Sequence, residues 1–138
     1  MMTMQRLDDL ALLVGRLLVA ALFLPSGVSK AMNIAGITGM LASKGVPFPA
    51  VMGILATAVE LGGPVLLILG VLPRLTAFVV GGFTLVAALL AHNFWEVTDA
   101  AARAAQQIQF MKNLAIVGGL MFYFVSGPGR FSLGGGRR

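Results

Sequence analysis

Residues 50–72 read AVMGILATAVELGGPVLLILGVL, an apolar stretch whose single ionisable residue is Glu60. At about 1.5 Å of rise per residue, a helix of this length crosses the roughly 30 Å hydrocarbon core of a bilayer. Glu60 falls near its middle, where an unpartnered charge costs at least about 2.5 kcal/mol. A partner is therefore required. Pro64 follows four residues later and has no N–H to give to the carbonyl of residue 60. One turn thus carries both a buried acid and a freed backbone acceptor, which predicts a membrane protein with a polar interior.

The rest of the chain agrees. Of 138 residues, 58% are apolar and 11% charged, about half the charge of a soluble domain, and mean hydropathy is +0.93. Three further apolar runs stand beside the first: Leu10 to Val28, Leu75 to Ala91, and Ile108 to Val125. Only Pro73-Arg74 joins the second and third runs, so they form an antiparallel hairpin. Between the first two runs, Ile34, Ile37, Met40 and Leu41 recur at helical spacing, and Lys44-Gly45 reads as a helix end. The prediction is an all-α transmembrane four-helix bundle with a short interfacial helix between the first and second spans. Residues 1–133 form one membrane domain and the Gly-rich basic tail 134–138 is expected to be disordered.

Local signals add detail. Asp99 looks like a helix start, its acid near the positive end of the dipole, and the Ala-rich run after it continues into the fourth span. Phe94, Trp95 and Tyr123 stand where aromatic belts are expected. Each span holds an Ala-x-x-x-Gly pair (Ala11 and Gly15, Ala58 and Gly62, Ala77 and Gly81, Ala115 and Gly119), which supports close helix packing. Four spans put both termini on one side, with Arg6, Arg74, Arg130, Arg137 and Arg138. Lys30, Lys44, Arg103 and Lys112 lie on the other. Together with Arg16, the first set leans toward cytoplasmic termini.

Composition also excludes functions. The absence of cysteine removes disulfides, iron–sulfur ligation and thiol chemistry, and one His leaves no bis-histidine haem within a chain. No metal site is expected. The net charge of +5 comes from residues at the ends of apolar runs, a loop pattern of membrane proteins rather than a nucleic-acid surface. Asp8 and Asp9 spoil a basic leader region, so the first apolar run reads as a retained span.

Depth predicts which polar residues meet. Counted from the ends of their runs on the side of the termini, Leu10 and Leu72, Arg16 and Glu60 differ in depth by roughly 9 Å, a gap two long side chains nearly close. Arg16–Glu60 is the expected ion pair. Lys30 lies on the Arg16 face at the far end of the first span, and His92 ends the third. Gln106, Gln109 and Asn113 form a stripe on the fourth, with Lys112 beside it. Converging, these residues would make a polar funnel toward Glu60. The plain alternative is that the charges only fix helix register and that Lys30 and Lys112 snorkel to headgroups. The sharper reading is a slot for an amphipathic ligand such as a quinone. Lys112, His92, Asn113 and Gln109 would then supply polar contacts, and Glu60 would carry a proton.

Several pieces in order resemble the DoxX family of small four-span membrane proteins. They are Gly15-Arg16, Gly27 and Lys30, the loop Gly45-Val46-Pro47-Phe48-Pro49, and Val59-Glu60-Leu61-Gly62-Gly63. Gly70 with Arg74, Phe110 to Ala115, Gly118-Gly119 and Gly127-Pro128-Gly129 follow. The resemblance implies an inner-membrane subunit linked to quinone-coupled sulfur oxidation or to complexes that protect against oxidative stress. Arg16, Lys30, Glu60, Lys112 and Asn113 match the family's polar positions. It also implies membrane or soluble oxidoreductase partner subunits, whereas a homo-oligomer goes with the scaffold reading. More distant relatives act as cargo receptors or chaperones, so a non-catalytic scaffold or assembly factor stays open beside the quinone reading. Proton conduction, for which one intramembrane acid offers few relay steps, is a third.

Overall fold

The computed structural model describes residues 3–134; the rest of the predicted tail, residues 135–138, lies outside them. Five α-helices follow one another: α1 Met4–Met32, α2 Ile34–Ser43, α3 Pro49–Leu69, α4 Pro73–Ala91 and α5 Ala100–Ser126. A 3-10 turn, Phe94–Glu96, lies between the last two. The helices α1, α3, α4 (with the 3-10 turn) and α5 are long and apolar enough to cross a membrane. Exposed Leu18, Phe78, Val86 and Phe122 give them apolar outer surfaces. The short α2 is the expected helix between the first two spans.

The helix ends follow the expected chemistry. Asp99 caps α5, its carboxylate accepting the Ala102 N–H at 2.9 Å. The α2 helix stops at Gly45, whose φ of +73° is the left-handed conformation glycine adopts freely. The Val46 N–H then reaches back to the Leu41 carbonyl at 3.1 Å. Gly70 ends α3 the same way, at φ +67°, with Val71 N–H bonded to the Leu66 carbonyl at 3.2 Å. Leu72, also left-handed, turns the chain directly into Pro73, the first residue of α4. The hairpin is that tight.

Packing places α3 at the centre, against α1, α2 and α4, with α5 laid along α4. The half of the bundle nearer the termini is filled by Phe23, Leu67, Ala77, Val80, Leu120 and Tyr123. Tyr123, expected in an aromatic belt, is instead core, because its face of α5 turns inward beside Leu120. Phe94 and Trp95 pack edge-to-face on Phe110, with centroids 5.5 and 5.7 Å from it, and pin the 3-10 turn to α5.

The close helix contacts fall at glycines other than the four in the Ala-x-x-x-Gly pairs. Gly15, Gly62 and Gly119 have open space where a Cβ would stand, and Gly81 meets Leu120 only at ordinary contact distance. Gly27 is the tight point: a Cβ there would lie 2.8 Å from both the carbonyl carbon and oxygen of Glu60. The acceptor that Pro64 frees therefore faces the α1 backbone. Gly63 is similar, with Val80 Cγ2 2.5 Å from its would-be Cβ. Gly27→Ala is expected to lower stability by about 1–3 kcal/mol, since backbone cannot step aside. Gly15→Ala should be neutral or slightly stabilising through helix propensity. Thermal unfolding of both variants in detergent checks the contrast.

Candidate functional site

Glu60 is buried on the face of α3 that meets α1, and its partner is Lys30, not Arg16. Lys30 Nζ lies 3.0 Å from Oε1 and 2.9 Å from Oε2, and donates a third bond to Ser26 Oγ at 2.8 Å. An ammonium has three donors. All three are used within the protein. The carboxylate side chain is 8% exposed and the lysine side chain 25%, so the lysine spans from the buried acid toward the surface. Ser26, one turn before Lys30 on the same face, is the member that reading the sequence missed; its i−4 spacing to Lys30 was the available signal.

The expected Arg16–Glu60 pair fails on register. The Gly27–Glu60 contact sets α1 against α3, and eleven positions separate Arg16 from Gly27. That is about 16 Å along the helix, beyond any side-chain reach. Depths counted from apolar run ends placed the two helices several residues out of register, because α1 begins at Met4, well before the apolar run.

Arg16 serves the opposite end of the bundle. It is 3% exposed, and Nη1 donates to the carbonyls of Leu67 at 3.2 Å and Ile68 at 3.3 Å, while Nη2 bonds the Phe131 carbonyl. A cation at the negative end of the α3 dipole is favourably placed, and it satisfies carbonyls that the helix leaves open. Gly70 makes room for it, since a Cβ there would collide with Arg16 Nη1. The segment after α5 folds back over this end. Arg130 N–H bonds Asp9 Oδ1 at 2.8 Å and Leu133 N–H bonds the Leu69 carbonyl at 2.9 Å.

The half of the bundle away from the termini is not filled. A cavity of about 510 Å³ lies there, walled by Leu22, Phe23, Met52, Leu55, Val59, Phe83 and other apolar side chains of the first four helices. Ile37 and Leu41 of α2 contribute one wall. Lys30, Glu60, Ser26, Thr84, His92, Gln109 and Asn113 supply its polar lining. Thr84 Oγ1 is already bonded to the Val80 carbonyl at 2.6 Å. His92 ends α4, and its Nδ1 lies 2.8 Å from Gln106 Oε1, tying α4 to α5. Lys44 Nζ donates to Asn93 Oδ1 at 3.2 Å, joining the end of α2 to the same connection.

Five of the seven expected site residues, Lys30, Glu60, His92, Gln109 and Asn113, therefore line one cavity. Arg16 does not, for the reason of register. Lys112 does not either; it is exposed. At 100° per residue Gln109 and Asn113 share one helix face, and Lys112 lies off to its side.

A family model described as DoxX matches residues 11–93. The chain is 35% identical over 130 residues to the inner membrane protein YqjF of Escherichia coli K12, covering 94% of each chain. It is 33% identical over 122 residues to the inner membrane protein YphA of the same organism, covering 88% of this chain and 86% of that one. No solved structure matches. With the four-span bundle, the family match and two relatives aligned over nearly their full lengths, the chain belongs to the DoxX family.

Proposed function

We propose that this chain is an inner-membrane subunit of a quinone-linked oxidoreductase or oxidative-stress system, and that its cavity binds a quinone or lipid beside Glu60. The observation that carries the reading is the cavity itself: about 510 Å³, apolar over most of its wall, with a few polar groups gathered among them. That is the form of a small-molecule site. The Gln109 and Asn113 amides make no hydrogen bond to protein among the described residues, so their donors and acceptors are open to a ligand. The inner-membrane placement rests on the two bacterial relatives. Cytoplasmic termini follow the lean of Arg6, Arg74 and Arg130 toward that side.

Mass spectrometry of organic extracts from the purified protein tests the reading. The wild-type chain is expected to retain a quinone or lipid in near-stoichiometric amount. Phe83→Trp, which pushes extra bulk into the cavity wall, is expected to cut that occupancy at least about fivefold with less than about 1.5 kcal/mol lost in stability. Equal retention by both proteins would reject the cavity as the site.

A second reading has its own support. All three Lys30 donors are used internally and Arg16 closes a helix end, so both cations have structural work without a ligand. On that account the chain is a non-catalytic scaffold or assembly factor. Its purified form would then carry no stoichiometric small molecule.

A further inference from the structure

The charges around the cavity cancel, and that restricts what enters it. Among the described residues, Lys30 and Glu60 are the only Lys, Arg, Asp or Glu in its lining, and each neutralises the other at 2.9 Å. Arg16 and Lys112, the other cations expected near Glu60, do not line it. The remaining polar lining consists of Ser26, Thr84, His92, Gln109 and Asn113, with Thr84 spent on its own helix. The His92 Nδ1 is engaged by Gln106 Oε1 at 2.8 Å, which leaves a ligand only the other ring nitrogen. No cation is left over to meet an anionic headgroup, and Lys30 has no spare donor to share. What remains for a ligand is the amide N–H and C=O groups of Gln109 and Asn113, the O–H of Ser26 and the second ring nitrogen of His92.

We infer that the cavity takes an amphiphile whose head is uncharged and accepts hydrogen bonds, and that phosphate- and carboxylate-bearing lipids are excluded because the Lys30 and Glu60 charges balance and leave no net charge on its wall. The inference rests on the ligand-binding reading above and narrows it. A charged head moved here from water would lose hydration without gaining a counter-charge, and this loss is large in an apolar slot. A carbonyl or hydroxyl head loses little and regains hydrogen bonds from the amides. Specificity thus comes as much from what the balanced pair refuses as from what it holds.

The test is a charge-imbalance series on the full-length protein in a neutral detergent, with binding read by native mass spectrometry and titration calorimetry. Two probes share a ten-carbon tail: a benzoquinone carrying it, and decyl phosphate. Wild type is expected to bind the quinone at least about tenfold more tightly than the phosphate. Glu60→Gln leaves the Lys30 charge unbalanced and should raise decyl phosphate affinity at least about tenfold, since one unpaired charge at close range is worth more than that factor. The Lys30→Met/Glu60→Gln double variant is neutral again and should keep the wild-type preference, which separates charge balance from any general damage to the fold. Equal or tighter phosphate binding by wild type would overturn the inference while leaving a ligand cavity in place. So would a double variant that prefers phosphate. Binding of neither probe to the wild type would overturn the cavity reading and this inference with it.

Discussion

Replacing Lys30 with Met is expected to destabilise the protein by about 3 kcal/mol, while removing both charges costs far less. The single substitution leaves Glu60, 8% exposed in its side chain, as a buried carboxylate without a counter-charge. Breaking a buried pair from one side costs about 3–5 kcal/mol. The lower end applies here because the lysine side chain is 25% exposed and water reaches its side of the pair. Glu60→Gln should be milder, about 1 kcal/mol, since the stranded ammonium can move toward that water and keep Ser26. Adding Glu60→Gln to Lys30→Met should recover most of the loss, to about 1 kcal/mol, giving a coupling of about 3 kcal/mol between the two sites. Unfolding midpoints of the four proteins in one detergent check the cycle. Additive losses would mean that the two side chains do not interact in the folded protein.

Arg16→Ala is expected to cost a similar amount, about 3 kcal/mol, at the other end of the bundle. It strips the donors from the carbonyls of Leu67 and Ile68 in α3 and of Phe131 in the returning C-terminal segment. Buried acceptors left without partners cost about 1–3 kcal/mol each, and the favourable charge at the α3 C-terminus goes too. Arg16→Lys should restore little. A single ammonium cannot span two adjacent carbonyls and a third on another segment as the planar guanidinium does. A second readout separates this role from general damage: trypsin should cut after Arg130 faster in the Arg16 variants, because Phe131 loses one of the bonds that hold its segment down. Unchanged cleavage with lowered stability would confine the role of Arg16 to α3.

These two predictions put Glu60 and Arg16, the pair expected from depth, at opposite ends of the bundle. That Arg16 and Glu60 sit inside apolar runs and that Lys30 ends one is legible in the sequence. Which cation met the acid depended on the axial register of α1 against α3. That register is set by a contact of backbone with backbone, Gly27 against the Glu60 carbonyl, which leaves no mark in hydropathy. The Gln109 and Asn113 face could be read from helical spacing, and Lys112 excluded by the same arithmetic once the facing side was known. The folding-back of Gly127 to Gly134 over α1 and α3 left no periodic signal at all, because its bonds run to residues over fifty positions away.

The sequence alone settled the membrane class, the number of spans, the short helix before the second span and the caps at Gly45 and Asp99. Each depends on local composition, rise per residue or one turn of backbone geometry, which neighbours in the chain dictate. Only the tertiary structure decided that Lys30 neutralises Glu60, that Arg16 closes α3, and that a cavity stays open in the half of the bundle away from the termini. Those outcomes turn on how far one helix slides along another and where five helices fail to fill the space between them. Such quantities arise from packing between distant segments and are not written in any one of them.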